Sequence, residues 1–202
     1  MTRGIAHLVD DDEAIRDALA WLLRSRGVDC RSWSSAEAFL ADYGSDMCGC
    51  LVLDIRMPAM SGPELFDRLL ALGCTMPTIF LTGHGDVPQA VLSLKKGAFD
   101  FMEKPCNDND LADRVIAALH LDLQRRSQAA STASIESRLQ SLTNREREVM
   151  ERILDGQYNK VIAADLDIAM RTVEVHRARI FEKMDVKSAV ELAQLLAGNP
   201  HD

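Results

Sequence analysis

Over its first 123 residues the chain alternates, five times in order, between a short apolar run and a longer amphipathic stretch. The runs at 5–9, 28–33, 50–53, 78–81 and 99–102 have the length of strands. The stretches at 13–26, 35–43, 62–72, 87–96 and 108–123 read as helices. In the first of them Ala14, Ala18, Leu19, Leu22 and Leu23 are expected on one face, with Asp12 as N-cap and Gly27 as the stop. Strand and helix in strict alternation leave few folds open. They imply an α/β domain: a doubly wound, five-stranded parallel sheet, covered by helices on both faces and joined by right-handed connections.

After residue 123 the pattern changes. Residues 124–137 are small, polar and unpatterned, which reads as a linker that can begin as a continuation of the preceding helix. From residue 135 onward everything looks helical: 135–141, 143–154, 159–166, 171–184 and 188–197, with Asp155-Gly156 as the clearest stop. Thr143 with Glu146 three residues on is a capping-box arrangement, and Val149, Ile153 and Leu154 supply an apolar face. The expected organisation is a domain at 1–123, a linker at 124–137 and a second, smaller all-α domain at 138–202.

Charge divides along the same line. Of the net charge of −8, the first 120 residues carry an acidic excess of seven and the rest an excess of one. The acidic half suits a cation, whereas the second half offers little general attraction for nucleic acid, so any such claim must come from pattern. The five cysteines, Cys30, Cys48, Cys50, Cys74 and Cys106, are odd in number and irregular in spacing. Cys48-Gly49-Cys50 has no second pair to complete a metal clamp, so reduced, mostly buried thiols are expected. No apolar run is long enough to span a bilayer, and Asp10 interrupts the N-terminus before a signal-peptide core could form. A cytoplasmic protein is expected.

Three features meet at the carboxyl ends of the predicted strands. Asp10-Asp11-Asp12 ends the first, Asp54 ends the third, and Lys104, followed by Pro105, ends the fifth. Ligands of open parallel sheets bind at that edge. Crowded carboxylates repel one another unless a cation joins them, and oxygen ligands with room for water suit Mg²⁺. A lysine nearby offers a point charge for a phosphoryl group, and Thr82 adds a hydroxyl. Singly, each has a bland reading: a helix cap, a turn acid, a surface lysine, a core phenylalanine at Phe101.

Together the segments Val9-Asp10-Asp11-Asp12, Leu53 to Pro58, Leu81 to Pro88 and Phe101 to Pro105 resemble the receiver domain of bacterial response regulators, closest to the FixJ branch. The resemblance covers about the first 120 residues and implies a flavodoxin-like fold. It makes Asp54 the acceptor of a phosphoryl group from a sensor histidine kinase. Asp10, Asp11, Asp54 and the backbone carbonyl of Arg56 become the Mg²⁺ ligands. Thr82 and Lys104 become contacts to the phosphoryl oxygens, and Thr82 and Phe101 the switch pair. Arg56 and His84 would flank the path of attacking water, and dimerisation on phosphorylation would use 87–96 and the following strand. Cys106 departs from the phenylalanine usual after Lys-Pro.

The C-terminal half resembles the LuxR/NarL-type helix-turn-helix, a four-helix domain. Matching residues include Thr143, Arg145-Glu146, Asn159-Lys160, Ile162-Ala163, Thr172 to Arg177 and Lys183-Met184. The resemblance makes 171–184 the recognition helix in the major groove of double-stranded DNA. Glu174, Val175 and Ala178 would then face bases, and Asn159, Lys160, Arg171, Thr172 and Arg179 would meet phosphates or bases. Met170-Arg171 departs from the family's usual start of this helix. The implied whole is a regulator of transcription, with RNA polymerase as a further partner. Two other classes compete: an Mg²⁺-dependent phosphohydrolase with Asp54 as nucleophile, disfavoured by Arg56 where a second acid is usual, and an adaptor whose last helices bind protein.

Overall fold

The five apolar runs form five parallel strands in the computed structural model, which describes residues 4–83 and 87–198. They are β1 (Ile5–Val9), β2 (Asp29–Trp33), β3 (Cys50–Asp54), β4 (Thr78–Thr82) and β5 (Asp100–Glu103), paired in the order β2-β1-β3-β4-β5. Helices α1 (Glu13–Ser25), α2 (Ala36–Asp42), α3 (Gly62–Ala71), α4 (Val87–Lys95) and α5 (Asp108–Gln140) follow the strands in turn. The chain winds outward from β1 in one direction to β2 and in the other to β3, β4 and β5. The switch point therefore lies between β1 and β3, the crevice where such sheets bind ligands.

Side chains along each strand alternate between two cores. Ala6, Leu8, Val52, Ile79, Leu81 and Met102 face α1 and α5, packing against Leu23, Leu111, Val115 and Leu119. Val9, Leu51, Leu53 and Phe80 face the other side, against Phe39, Leu65, Phe66 and Leu69. Burying both faces explains why β3 and β4 are apolar almost throughout.

The structure corrects the expected burial of α1. Asp12 caps it as expected, accepting from the Ala14 and Ile15 amides. Ala14 and Ala18 are exposed, however, and Ala20 is buried with Leu22 and Leu23. The leucines fix the buried stripe, and an alanine is too small to move it. Likewise Leu154, at the end of its helix, is 39 % exposed rather than part of an apolar face, and of the five cysteines, all free, only Cys50 is buried, the others being partly exposed.

Residues 124–137, expected as a linker on their small polar composition, are helical throughout as the middle of α5, and 135–141 is largely its last part. The stretch contains no glycine or proline to stop a helix. It is almost wholly exposed, so no buried stripe marks it in the sequence. The chain divides into two compact units, Met1–Arg126 and Ser127–Asp202.

The second unit contains α6 (Asn144–Leu154), α7 (Asn159–Asp165), α8 (Met170–Met184) and α9 (Ala189–Ala197). Val149, Ile153, Ile162, Val173, Ile180, Met184 and Leu192 close its core. The capping box at Thr143 and Glu146 is formed. α8 starts at Met170, one residue earlier than expected, after an N-cap Ala169 whose side chain caps nothing.

Candidate functional site

Strand pairing brings the predicted pocket residues together. Val9 lies beside Leu53, Asp54 beside Leu81 and Thr82 beside Glu103, so the residues that end or follow these strands share one edge. Asp10 is 3 % and Asp54 7 % exposed. Lys104 reaches between them, its Nζ 2.7 Å from Asp10 Oδ2 and 2.5 Å from Asp54 Oδ1. The second oxygen of each carboxylate is held by backbone: the Asp12 amide donates to Asp10 Oδ1 at 2.9 Å and the Arg56 amide to Asp54 Oδ2 at 2.8 Å. Burying two carboxylates is tolerable only when they are paired in this way.

Burial pushes the Asp54 carboxyl above its ordinary value, against the pull of Lys104. Burial would lower Lys104, but its hydrogen bonds to Asp10 and Asp54 outweigh that and raise it, so the ammonium is firmly charged. The arrangement is a half-buried cation clamped by two buried acids.

Other expected members of the pocket lie differently. Asp11 is exposed, and no group of three or more acidic, histidine or cysteine side chains gathers for a metal among the described residues. Thr82 is fully buried and its hydroxyl donates to the Gly83 carbonyl at 3.0 Å. Phe101 is half-buried against the core that contains Phe80. Arg56 is exposed. His84 lies outside the described residues.

Two supports of the pocket have no counterpart among the residues expected from sequence. Gly62 opens α3 so close to β3 that a Cβ there would collide with the Asp54 carbonyl oxygen. Arg16 donates from Nη1 to the Asp10 carbonyl at 2.8 Å. Ser61 and Glu64 form a capping box around Gly62, and Pro63 sits in the first turn; those residues are legible as a helix start, but the close approach is not.

In the second unit, Val173, Ile180 and Met184 anchor α8 in the core. Arg171, Thr172, Glu174, Val175, Ala178 and Arg179 lie on the same helix. Arg171, Thr172, Glu174, Val175 and Arg179 are exposed, as is Lys160 at the start of α7. Ala178 is exposed as well, and Asn159 is partly covered. One helix thus presents two arginines around a short, partly apolar face, a combination able to contact phosphates and base edges.

An ion pair between a buried acid and a half-buried lysine fixes that helix. Lys183 Nζ donates to Glu146 Oε2 at 2.7 Å and to the Ser141 carbonyl at 2.9 Å. Burial favours the neutral acid, yet Lys183 and the Thr143 amide and hydroxyl bring Glu146 down to about 2. Arg138 adds a hydrogen bond to the Met184 carbonyl at 2.8 Å. Glu146 and Lys183 each belong to the helix-turn-helix pattern, but they stand 37 residues apart and nothing in the sequence joins them.

Residues 6–116 match the response regulator receiver domain family, and residues 140–196 match the bacterial regulatory proteins of the luxR family. The chain is 49 % identical over 191 residues to the C4-dicarboxylate transport transcriptional regulatory protein DctR of Rhodobacter capsulatus, covering 94 % of this chain and 97 % of that one. It is 44 % identical to the transcriptional regulatory protein FixJ of Rhizobium meliloti, covering 98 % of each. Among solved structures, that of the response regulator StyR superposes with a TM-score of 0.90 at 39 % identity, over 96 % of this chain and 98 % of that one.

Proposed function

The chain belongs to the DNA-binding response regulators of two-component systems, which control transcription, and from that premise we propose that phosphorylation of Asp54 drives its dimerisation and sequence-specific DNA binding. It is a regulator and not a turnover enzyme, which sets aside the phosphohydrolase and adaptor readings. The proposed receiver spans 1–123, with 124–137 connecting it to a DNA-binding domain at 138–202. A sensor kinase is the partner implied by the receiver, and DNA by the second domain. RNA polymerase is the proposed further partner and the cytoplasm the proposed location; no described helix is long and apolar enough to cross a membrane.

The observation that carries the reading is the Asp10–Lys104–Asp54 clamp at the carboxyl edge of the sheet. An Asp54 oxygen attacks the phosphorus of a phosphohistidine; the new O–P bond forms as the P–N bond breaks and the imidazole leaves. Such transfer needs mainly positioning and charge neutralisation. The Arg56 amide and Lys104 orient the Asp54 carboxylate, and the Lys104 ammonium is in place to receive the phosphoryl oxygens. Receivers generally bind Mg²⁺ at this site. The paired hard oxygens of Asp10 and Asp54 fit that ion; Asp11 and the Arg56 carbonyl are its proposed remaining protein ligands. When bound, the ion neutralises charge on the phosphoryl oxygens. Thr82 and Phe101 are the proposed switch, with Thr82 turning from the Gly83 carbonyl toward the phosphoryl group. Val91 and Leu92 on α4, 40 % and 56 % exposed, support α4 and β5 as the dimer face.

For DNA, α8 is the proposed recognition helix: Glu174, Val175 and Ala178 face bases, while Asn159, Lys160, Arg171, Thr172 and Arg179 meet phosphates or bases. Labelling with acetyl phosphate tests the receiver half. Wild type should incorporate label in Mg²⁺ but not in excess EDTA, and Asp54→Asn should incorporate none. Equal labelling of the two proteins would sink the assignment.

A further inference from the structure

Tyr158 is the most exposed large hydrophobic residue among the described residues, at 83 %. It stands at the N-cap of α7, yet its hydroxyl makes no capping bond. α7 is held to the core by Ile162 and Ala163, so the ring of Tyr158 contributes little to folding. A tyrosine left almost wholly in water is hard to explain by stability and easy to explain by contact: its ring is rigid, and it carries one hydroxyl donor.

The two residues that follow say what it meets. Asn159 and the exposed Lys160 form the start of α7, which packs against α8. When the second helix of such a pair enters the major groove, the first crosses the sugar-phosphate backbone. Phosphate oxygens accept from tyrosine hydroxyls as well as from lysine. Leu154 and Val161 nearby are 39 % and 45 % exposed and would suit a protein, but a hydroxyl beside Asn159 and Lys160 favours phosphate. We infer that Tyr158 donates its hydroxyl to a DNA phosphate next to the one met by Lys160, and so positions α8 on the duplex. This rests on the reading of α8 as the recognition helix.

The test uses the full chain with acetyl phosphate and Mg²⁺, duplexes selected from a random-sequence library, and fluorescence anisotropy across a salt series. Tyr158→Phe keeps the ring and removes only the donor; it should weaken binding by about 5- to 10-fold. Because the phenol is uncharged, the dependence of affinity on salt should not change. Lys160→Ala should instead lower the salt slope by about 0.9 for each phosphate the lysine neutralises. Full affinity in Tyr158→Phe alongside weakened Lys160→Ala and Arg171→Ala overturns the inference and leaves the DNA reading intact. Undiminished binding in all three overturns both. Full affinity in Tyr158→Phe with reduced transcription by added RNA polymerase assigns the hydroxyl to a protein partner, which also overturns it.

Discussion

A single methyl group is enough to probe how Asp54 is held. The first residue of α3 packs directly on the backbone of Asp54, the proposed phosphoacceptor, and the Gly62 amide donates to the Ile55 carbonyl at 3.1 Å. Gly62→Ala must push α3 or Asp54 aside, at an overpacking cost of about 1–3 kcal/mol. We expect a lower urea midpoint and a larger fall in acetyl-phosphate labelling than the loss of stability explains. Normal labelling in a destabilised Gly62→Ala would show that Asp54 keeps its position independently of α3. Lys104 acts at the same scale. Lys104→Ala would leave Asp10 and Asp54 buried without their shared cation. Labelling should drop sharply, and raising the Mg²⁺ concentration should restore part of it; a labelling rate unaffected by the substitution would remove Lys104 from the chemistry. The acids and the lysine are legible in the sequence because residue type and strand-end position coincide. Gly62 is not, since a close backbone approach leaves no trace in residue type beyond the glycine itself. Thr82 is legible as a pocket residue, but its bond to Gly83 is not, because a hydroxyl's partner depends on a torsion that no sequence pattern records.

Among the elements, α8 depends on what meets its two ends, beginning with the pair that Lys183 of its last turn makes with Glu146 of α6. Glu146 is held at about 2 in the folded protein, below the ordinary carboxyl value of 4.5. The unfolded chain therefore binds the proton more readily, and stability from this group is present above pH 4.5 and lost as pH falls toward 2. Acid melts of wild type should lose stability across that window, and Glu146→Gln should show a smaller loss there; identical acid profiles would mean the pair with Lys183 contributes nothing. At the other end of α8, the N-cap Ala169 has extended backbone, φ −67° and ψ 144°, but no side-chain acceptor. Ala169→Ser supplies one and should stabilise the protein by about 1 kcal/mol, read from the urea midpoint; no gain would mean the first amides of α8 are satisfied otherwise. The elements with a buried stripe are readable almost to the residue, as with β1 and α6. α5 is not: its exposed middle has no stripe, and small polar side chains look alike in a loop and in a solvated helix. Helix there follows from the absence of breakers, a weaker signal than a pattern.

At the scale of the whole molecule the question is why a phosphoryl group on one unit should govern DNA binding by the other. The region from residue 121 carries nearly as many bases as acids, so its non-specific attraction to DNA is small. Lys160, Arg171 and Arg179 are the chief exposed cations proposed to face phosphate, each worth a salt slope of about 0.9. One such surface is expected to bind weakly. Two of them joined on one duplex gain an effective concentration worth about 10²–10⁴ in favourable geometry. Phosphorylation that pairs two chains through α4 and β5 would supply that gain without altering a single DNA contact. The operator should then be a two-fold-symmetric pair of short half-sites, since a symmetric dimer presents the same helix twice. Acetyl phosphate should convert the wild-type chain from monomer to dimer in analytical ultracentrifugation, and footprints should extend from weak or absent to both half-sites together. Asp54→Asn should stay monomeric and bind weakly under the same conditions. Moving one half-site by half a helical turn should abolish the gain, because the second α8 would meet the opposite face of the duplex. If the unphosphorylated chain protects one half-site as tightly as the phosphorylated chain protects two, pairing is not the source of affinity, and phosphorylation must act on the recognition surface itself.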